Sequence, residues 1–284
     1  MKKTLIALAA VAVSGAAFAQ ATITGNVSVG IQNTTGDSDA RFNLTNADVK
    51  FATSEDLGGG LKAAAAAKLT FEGQRSAATT VEAVTMGLSG GFGSVSYANV
   101  LSGSAKLSAG VSAEDDMTDA MGKYVKVDVV TYTTPELAPG LTAALELAGL
   151  IGGAADQLPL SSDPTVIVKY NAGALSVYGD LPTGDTDDWD VRVHYDLGMA
   201  KVGARMTGDS TDAQEYTVTA PMGAMSLGFH YGTSPAGTGM GFSAKYALSK
   251  RTAVVASYVD VSDDTANNAV DAGNNYRVQL SHSF

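Results

Sequence analysis

Histidines and charged residues are the side chains of this sequence that could do chemistry. His194, His230 and His282 are its three histidines, and cysteine is absent. Without cysteine there is no disulfide, thiol nucleophile or thiolate metal ligand. Nothing beside the histidines resembles a hydrolase nucleophile motif or metal-ligand spacing. We therefore predict no enzyme activity, no cofactor and no metal site. A Ser–His pair on neighbouring strands is the enzyme alternative.

Many of the charged residues lie at every second position of segments whose other positions are apolar. Between residues 61 and 72, Leu61, Leu69 and Phe71 share one parity with alanines, and Lys62 and Lys68 share the other. Because successive side chains of a strand point to opposite faces, this segment predicts a strand with one apolar and one polar face. The cations expected on polar faces are Lys50, Lys62, Lys68, Lys126, Arg192, Arg205 and Arg277.

About sixteen segments of this kind follow one another. Each is roughly ten residues long, which is the length that a tilted strand needs to cross a bilayer. The predicted strands are 20–32, 41–54, 60–72, 80–89, 93–101, 123–134, 140–150, 164–171, 173–181, 187–197, 199–208, 213–221, 223–233, 239–248, 251–262 and 273–284.

The links between these segments alternate in length. The longer set is 33–40, 73–79, 102–122, 151–163, 182–186, 209–212, 234–238 and 263–273, and the tighter set is 55–59, 89–93, 135–140, 171–173, 197–198, 221–223 and 249–251. Long loops on one rim and short turns on the other are typical of an outer-membrane barrel. We predict an all-β fold, a sixteen-stranded antiparallel transmembrane β-barrel with short periplasmic turns, longer external loops and both termini on the periplasmic side. A secreted β-sandwich is the alternative; it also alternates, but its apolar face is a packed core of large side chains. Charged residues in the middle of segment after segment favour the barrel, where they line a wet lumen.

The first nineteen residues have the features of a secretory signal peptide. Lys2 and Lys3 precede the apolar run 5–13, and Ala17 and Ala19 flank Phe18 before Gln20. A basic start, a short apolar region and small residues at the cleavage site are its three parts. We predict a signal peptide at 1–19 and one barrel domain at 20–284.

Net charge excludes one class of partner. The full chain carries −11, and removal of Lys2 and Lys3 leaves 16 basic against 29 acidic residues, hence −13. A nucleic-acid-binding protein needs a basic surface to neutralise phosphates, so we expect no nucleic-acid partner.

Three stretches resemble a known family. Residues 47–63 contain Glu55-Asp56-Leu57-Gly58-Gly59-Gly60-Leu61-Lys62-Ala63, and residues 87–95 and 132–137 read GLSGGFGSV and YTTPEL. They resemble strands and turns of the general, trimeric porins of Gram-negative bacteria, especially the β-proteobacterial type. The resemblance implies a homotrimer in the outer membrane of a Gram-negative bacterium. It also implies a water-filled channel for passive diffusion of ions and small hydrophilic solutes.

The resemblance also implies a constriction of opposed charges. In that family the third loop folds into the lumen and places acids opposite a basic wall. The corresponding loop here, 102–122, lacks the family's Pro-Glu-Phe-Gly-like motif but offers Glu114, Asp115, Asp116 and Asp119. Lys50, Lys62 and Lys68 would form the basic wall, and Lys126, Arg192, Arg205 and Arg277 would line the lumen elsewhere. The alternative is that each is an ordinary solvated residue of a wet barrel.

The chain ends in a pattern similar to the C-terminal signature that outer-membrane barrels present to the barrel-assembly machinery. Tyr276, Val278, Leu280 and Phe284 share one parity of the last segment. Outer-membrane lipid and lipopolysaccharide are the other expected partners. The alternatives are a substrate-specific channel, a non-conducting structural or adhesive β-protein and a barrel enzyme. The negative net charge favours cation selectivity, whereas several members of the resembled group prefer anions.

Overall fold

Sixteen strands form a closed barrel. The computed structural model describes residues 20–33, 39–71, 79–102, 125–150, 163–184, 189–208, 212–235, 237–262 and 273–284. Each strand pairs with its neighbours in sequence, and β1 pairs with β16 to close the barrel. The strands are β1 Gln20–Asn33, β2 Arg41–Gly58, β3 Leu61–Phe71, β4 Thr79–Gly90, β5 Gly93–Ser102, β6 Val125–Thr133, β7 Leu141–Leu150, β8 Thr165–Ala172, β9 Leu175–Pro182, β10 Asp190–Asp196, β11 Lys201–Thr207, β12 Gln214–Met222, β13 Met225–Ser234, β14 Gly237–Ala247, β15 Thr252–Val261 and β16 Gly273–Ser283.

Every one of the sixteen strand pairs is antiparallel. The predicted strand number, order and direction are therefore confirmed. No helix in the described part of the chain is long and apolar enough to cross a membrane.

Two predicted links differ from the structure. The link at 55–59 is mostly strand, because β2 continues to Gly58 and only two residues precede β3. The link at 234–238 was predicted among the longer ones, yet β13 ends at Ser234 and β14 begins at Gly237. These two residues pair with each other, so the hairpin stays hydrogen-bonded up to its turn. Gly and Ser suit either a loop or a tight hairpin, and the sequence did not distinguish them.

Neighbouring short turns are tied together at one glycine. Gly140 has a φ of 79°, a backbone conformation that residues with a side chain rarely adopt. Its carbonyl accepts a hydrogen bond of 2.8 Å from the backbone N–H of Asn171, near the end of β8. A Cβ at residue 140 would collide with the carbonyl oxygen of Asn171. Glycine is therefore required there both by conformation and by space.

A β-bulge lies beside the closing pair of strands. Ser28 pairs with Asn46 and Val29 pairs with Leu44, so Thr45 is the extra residue of β2. The Thr45 hydroxyl reaches across β1 and donates a hydrogen bond of 2.5 Å to the side-chain oxygen of Gln279 on β16. Bulges re-aim side chains in this way, and here the result is a polar link across the barrel closure.

Candidate functional site

The barrel is polar inside and apolar outside. On β16, Val278 is 50% exposed and Leu280 44%, whereas Asn275, Arg277 and Gln279 are 0%, 7% and 8% exposed. A water-soluble protein buries its apolar face, so this inverted arrangement requires an apolar solvent outside and a polar space within. The lumen is therefore the candidate functional site.

A basic wall lies on the lumen face of β2 and β3. Lys50 pairs directly with Lys68 across the two strands, and Lys62 pairs with Asp56. On its other side Lys50 faces Thr24 of β1. Lys50 and Lys68 therefore place two positive charges beside each other on one side of the lumen.

The acids expected to face this wall cannot be placed. Glu114, Asp115, Asp116 and Asp119 lie outside the described residues, and so does the predicted infolding of the third loop. Of the predicted constriction, the structure therefore describes the basic half.

Lys126 requires a correction. The register pairs it with Leu101 of β5, on the strand parity of Tyr132, which is 40% exposed on the outside of the barrel. Val129, on the opposite parity, is buried. The backbone of Lys126 thus lies on the outward parity rather than the predicted lumen parity, and its side chain is outside the described residues. Valines on both faces of β6, such as Val129 and Val130, leave the alternation unable to orient the strand.

Arg192 and Arg205 lie on the lumen face, within an ion-pair network. Arg192 donates to Asp190 at 2.7 Å, and Arg205 donates to the same carboxylate at 2.9 Å and to Glu215 at 3.0 Å. Both arginines and Asp190 are buried. The guanidinium of Arg192 also lies 4.6 Å from the centre of the Tyr178 ring, in cation–π contact. Each positive charge is thus matched by a negative one within the barrel wall.

Sequence reasoning missed the acids of this network. Asp190 and Arg192 are two residues apart and hence share a strand face, which the sequence could have indicated. The meeting of Arg205 with Asp190 and Glu215 depends on the registers of β10, β11 and β12. Register between strands is a tertiary property, so composition and parity did not predict it.

Two histidines face the lumen and one lies at the rim. The imidazole of His194 fills the space over Gly203, whose Cβ would be 2.6 Å from the histidine Cδ2. Nε2 of His230 lies 3.9 Å from Glu215. Nδ1 of His282 forms a hydrogen bond of 2.9 Å with the hydroxyl of Thr252. Within the described residues, no group of three or more His, Asp or Glu side chains could hold a metal ion.

The C-terminal residues form an outward row on β16. Tyr276 is 41% exposed and Phe284 43%, on the same face as Val278 and Leu280. Phe284 exchanges two backbone hydrogen bonds with Gly25 of β1, at 3.1 and 3.0 Å. Phe284 therefore takes part in barrel closure. The sequence did not indicate that Gly25 would be its partner.

The sequence profile of the Gram-negative porins matches residues 4–267 of this chain. The chain belongs to the Gram-negative porin family. Among curated proteins no sequence matches this porin. Its barrel is similar to a mutant of the Rhodopseudomonas blastica porin, with a TM-score of 0.68 and 15% identity over 93% of this chain and 100% of that one. It is also similar to an anion-selective porin from Comamonas acidovorans, with a TM-score of 0.64 and 20% identity over 94% of this chain and 100% of that one.

Family and fold together assign the function of the lumen. At these identities the solved structures show the shared fold, and the family match covers nearly the whole chain. This porin is an outer-membrane channel of Gram-negative bacteria for the passive diffusion of small solutes. The general-porin resemblance of the sequence is thereby confirmed.

Proposed function

We propose that opposed charges in the lumen control the passage of ions and small hydrophilic solutes through this porin. The basic side is Lys50, Lys62 and Lys68, and the acidic side is Glu114, Asp115, Asp116 and Asp119 on an infolded third loop. The observation that carries the proposal is the direct pairing of Lys50 with Lys68. Two neighbouring lysines that face the channel lie where they can affect what passes.

The basic side also supports a preference for anions. The positive charges of Arg192 and Arg205 are matched by Asp190 and Glu215. In contrast, the strand neighbours of Lys50 are Thr24 and Lys68, and neither is acidic. The net charge of −13 would favour cations at the mouth, but charges in water are screened over about 10 Å at 0.1 M salt. Selectivity is set at the narrowest ring, where local charges dominate.

The test is the reversal potential of single channels in a planar bilayer under a potassium chloride gradient. The unaltered porin gives the sign expected for chloride, and Lys50→Gln with Lys68→Gln shifts the potential towards cations. Neutralising the four loop acids shifts it towards anions. Lys169→Gln removes another lumen-parity lysine, beside Tyr178, and should shift it less. If the double lysine variant behaves like the unaltered porin, the basic wall does not control passage.

Catalysis is not part of the proposal. One stretch that the sequence analysis did not single out, Gly87-Leu88-Ser89-Gly90-Gly91, has G-x-S-x-G spacing. As a nucleophile motif that spacing needs a strand-to-helix turn, whereas here it ends strand β4 at a hairpin. Ser89 pairs with Lys62 and Ser94 rather than with a histidine. Ester hydrolysis that disappears in His194→Ala or His230→Ala would contradict this part of the proposal.

The porin is also proposed to be a homotrimer. Ala63, Ala65 and Ala67 give the outer face of β3 a small-residue surface that allows close packing between proteins. Further round the same side, the Asp128 carboxylate lies on the outward parity, held by Tyr97 at 2.7 Å and Asn99. A carboxylate facing lipid is costly, so protein is the better cover for this side. A monomeric mass in mild detergent would contradict the trimer.

Export and insertion complete the proposal. Residues 1–19 are the signal peptide, and the outward row Tyr276, Val278, Leu280 and Phe284 is the signal for the barrel-assembly machinery. External acidic loops bind divalent cations shared with lipopolysaccharide. N-terminal sequencing of the mature protein should begin at Gln20. Deletion of Phe284 should lower the amount of folded porin in the outer membrane, whereas an unchanged amount would contradict the assembly role.

A further inference from the structure

His230 is a buried histidine on the lumen face of the barrel wall. It lies near the middle of β13, and 8% of its surface is exposed. Nε2 of its ring is buried and, within the described part of the chain, makes no hydrogen bond. Polar atoms buried in this way are rare in folded proteins, and each one needs an explanation. The surroundings of the ring supply one.

A carboxylate of β12 faces the ring of His230. Nε2 lies 3.9 Å from Oε2 of Glu215, which is longer than a hydrogen bond. The other carboxylate oxygen, Oε1, accepts from Arg205 at 3.0 Å. The two oxygens of one carboxylate are therefore divided between an arginine and a histidine.

The other neighbours of His230 on the lumen face are uncharged. Thr217 of β12 and Gly241 of β14 pair directly with it, and Ser243 is the next residue on the same face of β14. Oγ1 of Thr217 and Oγ of Ser243 are also buried and make no hydrogen bond among the described residues. On its own strand the adjacent lumen positions are glycines. Glu215 is thus the titratable group that faces His230 from the strands packed against it.

The charge of this part of the wall depends on His230. While the ring is neutral, the two cations Arg192 and Arg205 are balanced by the two carboxylates Asp190 and Glu215. Histidine is the side chain whose charge ordinarily changes between pH 5 and 8. A proton on His230 therefore gives the network one positive charge in excess. A positive charge on the wall of a channel attracts anions and repels cations.

We propose that His230 is a specificity-determining residue of this channel, and that its protonation favours the passage of anions as the pH falls below neutral. Both ring nitrogens carry hydrogen once the imidazole is protonated, so Nε2 then donates to Oε2 of Glu215. Arg205 keeps its own contact, because it uses the other oxygen. The inference goes beyond the proposed basic wall and does not depend on it.

The test compares reversal potentials of the full-length porin in a planar bilayer under a potassium chloride gradient. Each protein is measured at about pH 7.5 and about pH 5.5, within the range where histidine titrates. His230→Gln keeps a polar side chain but cannot gain the charge. Far-UV circular dichroism checks that every variant is folded. A merely structural role would alter the potential at both pH values, whereas the proposed role alters the difference between them.

His194→Gln is the matched control. His194 also faces the lumen, and its Nε2 is likewise buried without a hydrogen bond among the described residues. On β11 its diagonal neighbours are Arg205 and Lys201, and on β10 it lies between Arg192 and Asp196. A positive charge there would lie beside several cations, so the ring is expected to stay neutral.

The ratio of chloride to potassium permeability should rise about twofold in the unaltered porin between the two pH values, because one added charge about 7 Å from a passing ion has an effect of this size. Most of that rise should disappear in His230→Gln and remain in His194→Gln. An equal rise in His230→Gln and the unaltered porin, or no rise in either, overturns the inference while leaving the channel function intact.

A second measurement follows protonation without relying on conduction. The porin is labelled with ¹⁵N-histidine in detergent micelles, and the resonance of His230 is the one that His230→Gln removes. That resonance should titrate between pH 5 and 8. A resonance that stays fixed overturns the inference. If a folded porin fails to conduct at either pH, the channel function is contradicted instead.

Discussion

The ring of Phe284 occupies the space where a side chain at residue 25 would lie. A Cβ on Gly25 would be 2.5 Å from Cζ of Phe284 and 2.5 Å from the carbonyl oxygen of Asp48. The two residues also exchange backbone hydrogen bonds in both directions. Since β1 and β16 are the strands that close the barrel, this contact joins the last residue of the chain to the first strand.

Gly25→Ala is therefore expected to destabilise the closure of the barrel. The methyl group forces the Phe284 ring or the β2 backbone to move, which costs about 2 kcal/mol of unfolding free energy. Urea unfolding in detergent micelles, followed by the fluorescence of Trp189, the chain's one tryptophan, measures the change.

Gly179→Ala is the matched control for that substitution. Gly179 also lies on an outward strand position, opposite Val191, and a Cβ there would meet nothing within 4 Å. The control should change stability by less than about 0.5 kcal/mol. Equal stability of the two variants would show that Phe284 does not restrict residue 25.

Arg205→Gln should destabilise the barrel wall by about 3 kcal/mol, because it leaves Glu215 without its 3.0 Å partner and removes one of the two cations on Asp190. The same urea titration measures it. Lys201→Gln breaks an exposed pair of 4.0 Å with Asp196, and such pairs contribute less than about 1 kcal/mol. If both substitutions cost the same, the buried network does not stabilise the fold.

Val193→Arg tests the apolar outer surface. Val193 is 38% exposed at the middle of β10 and on its outward face. An arginine near the bilayer midplane costs a barrel about 2–4 kcal/mol, but close to zero near the interface. Met222→Arg, at the short-turn end of β12, is the comparison. Unfolding free energies in lipid bilayers should differ by that amount. Tolerance of arginine at residue 193 would place that face outside the hydrocarbon.

The alternation of side chains was sufficient to predict the barrel. A strand has a period of two, so apolar and charged parities identify its two faces without any knowledge of its neighbours. That is why sixteen strands and their antiparallel order could be predicted. The method failed for Lys126, because valine occurs on both faces of β6.

Register between strands was decided by the tertiary structure alone. Lys50 meets Lys68, Arg205 reaches both Asp190 and Glu215, and Phe284 covers Gly25 because particular residues of neighbouring strands lie side by side. Local alternation is the same for every shift of two residues along a strand, so it cannot choose among these registers. The sequence by itself determined the strands and the alternation of their two faces, although not the orientation of β6. Strand pairing around the closed barrel decided which of them neutralise one another and which remain to act on a passing solute.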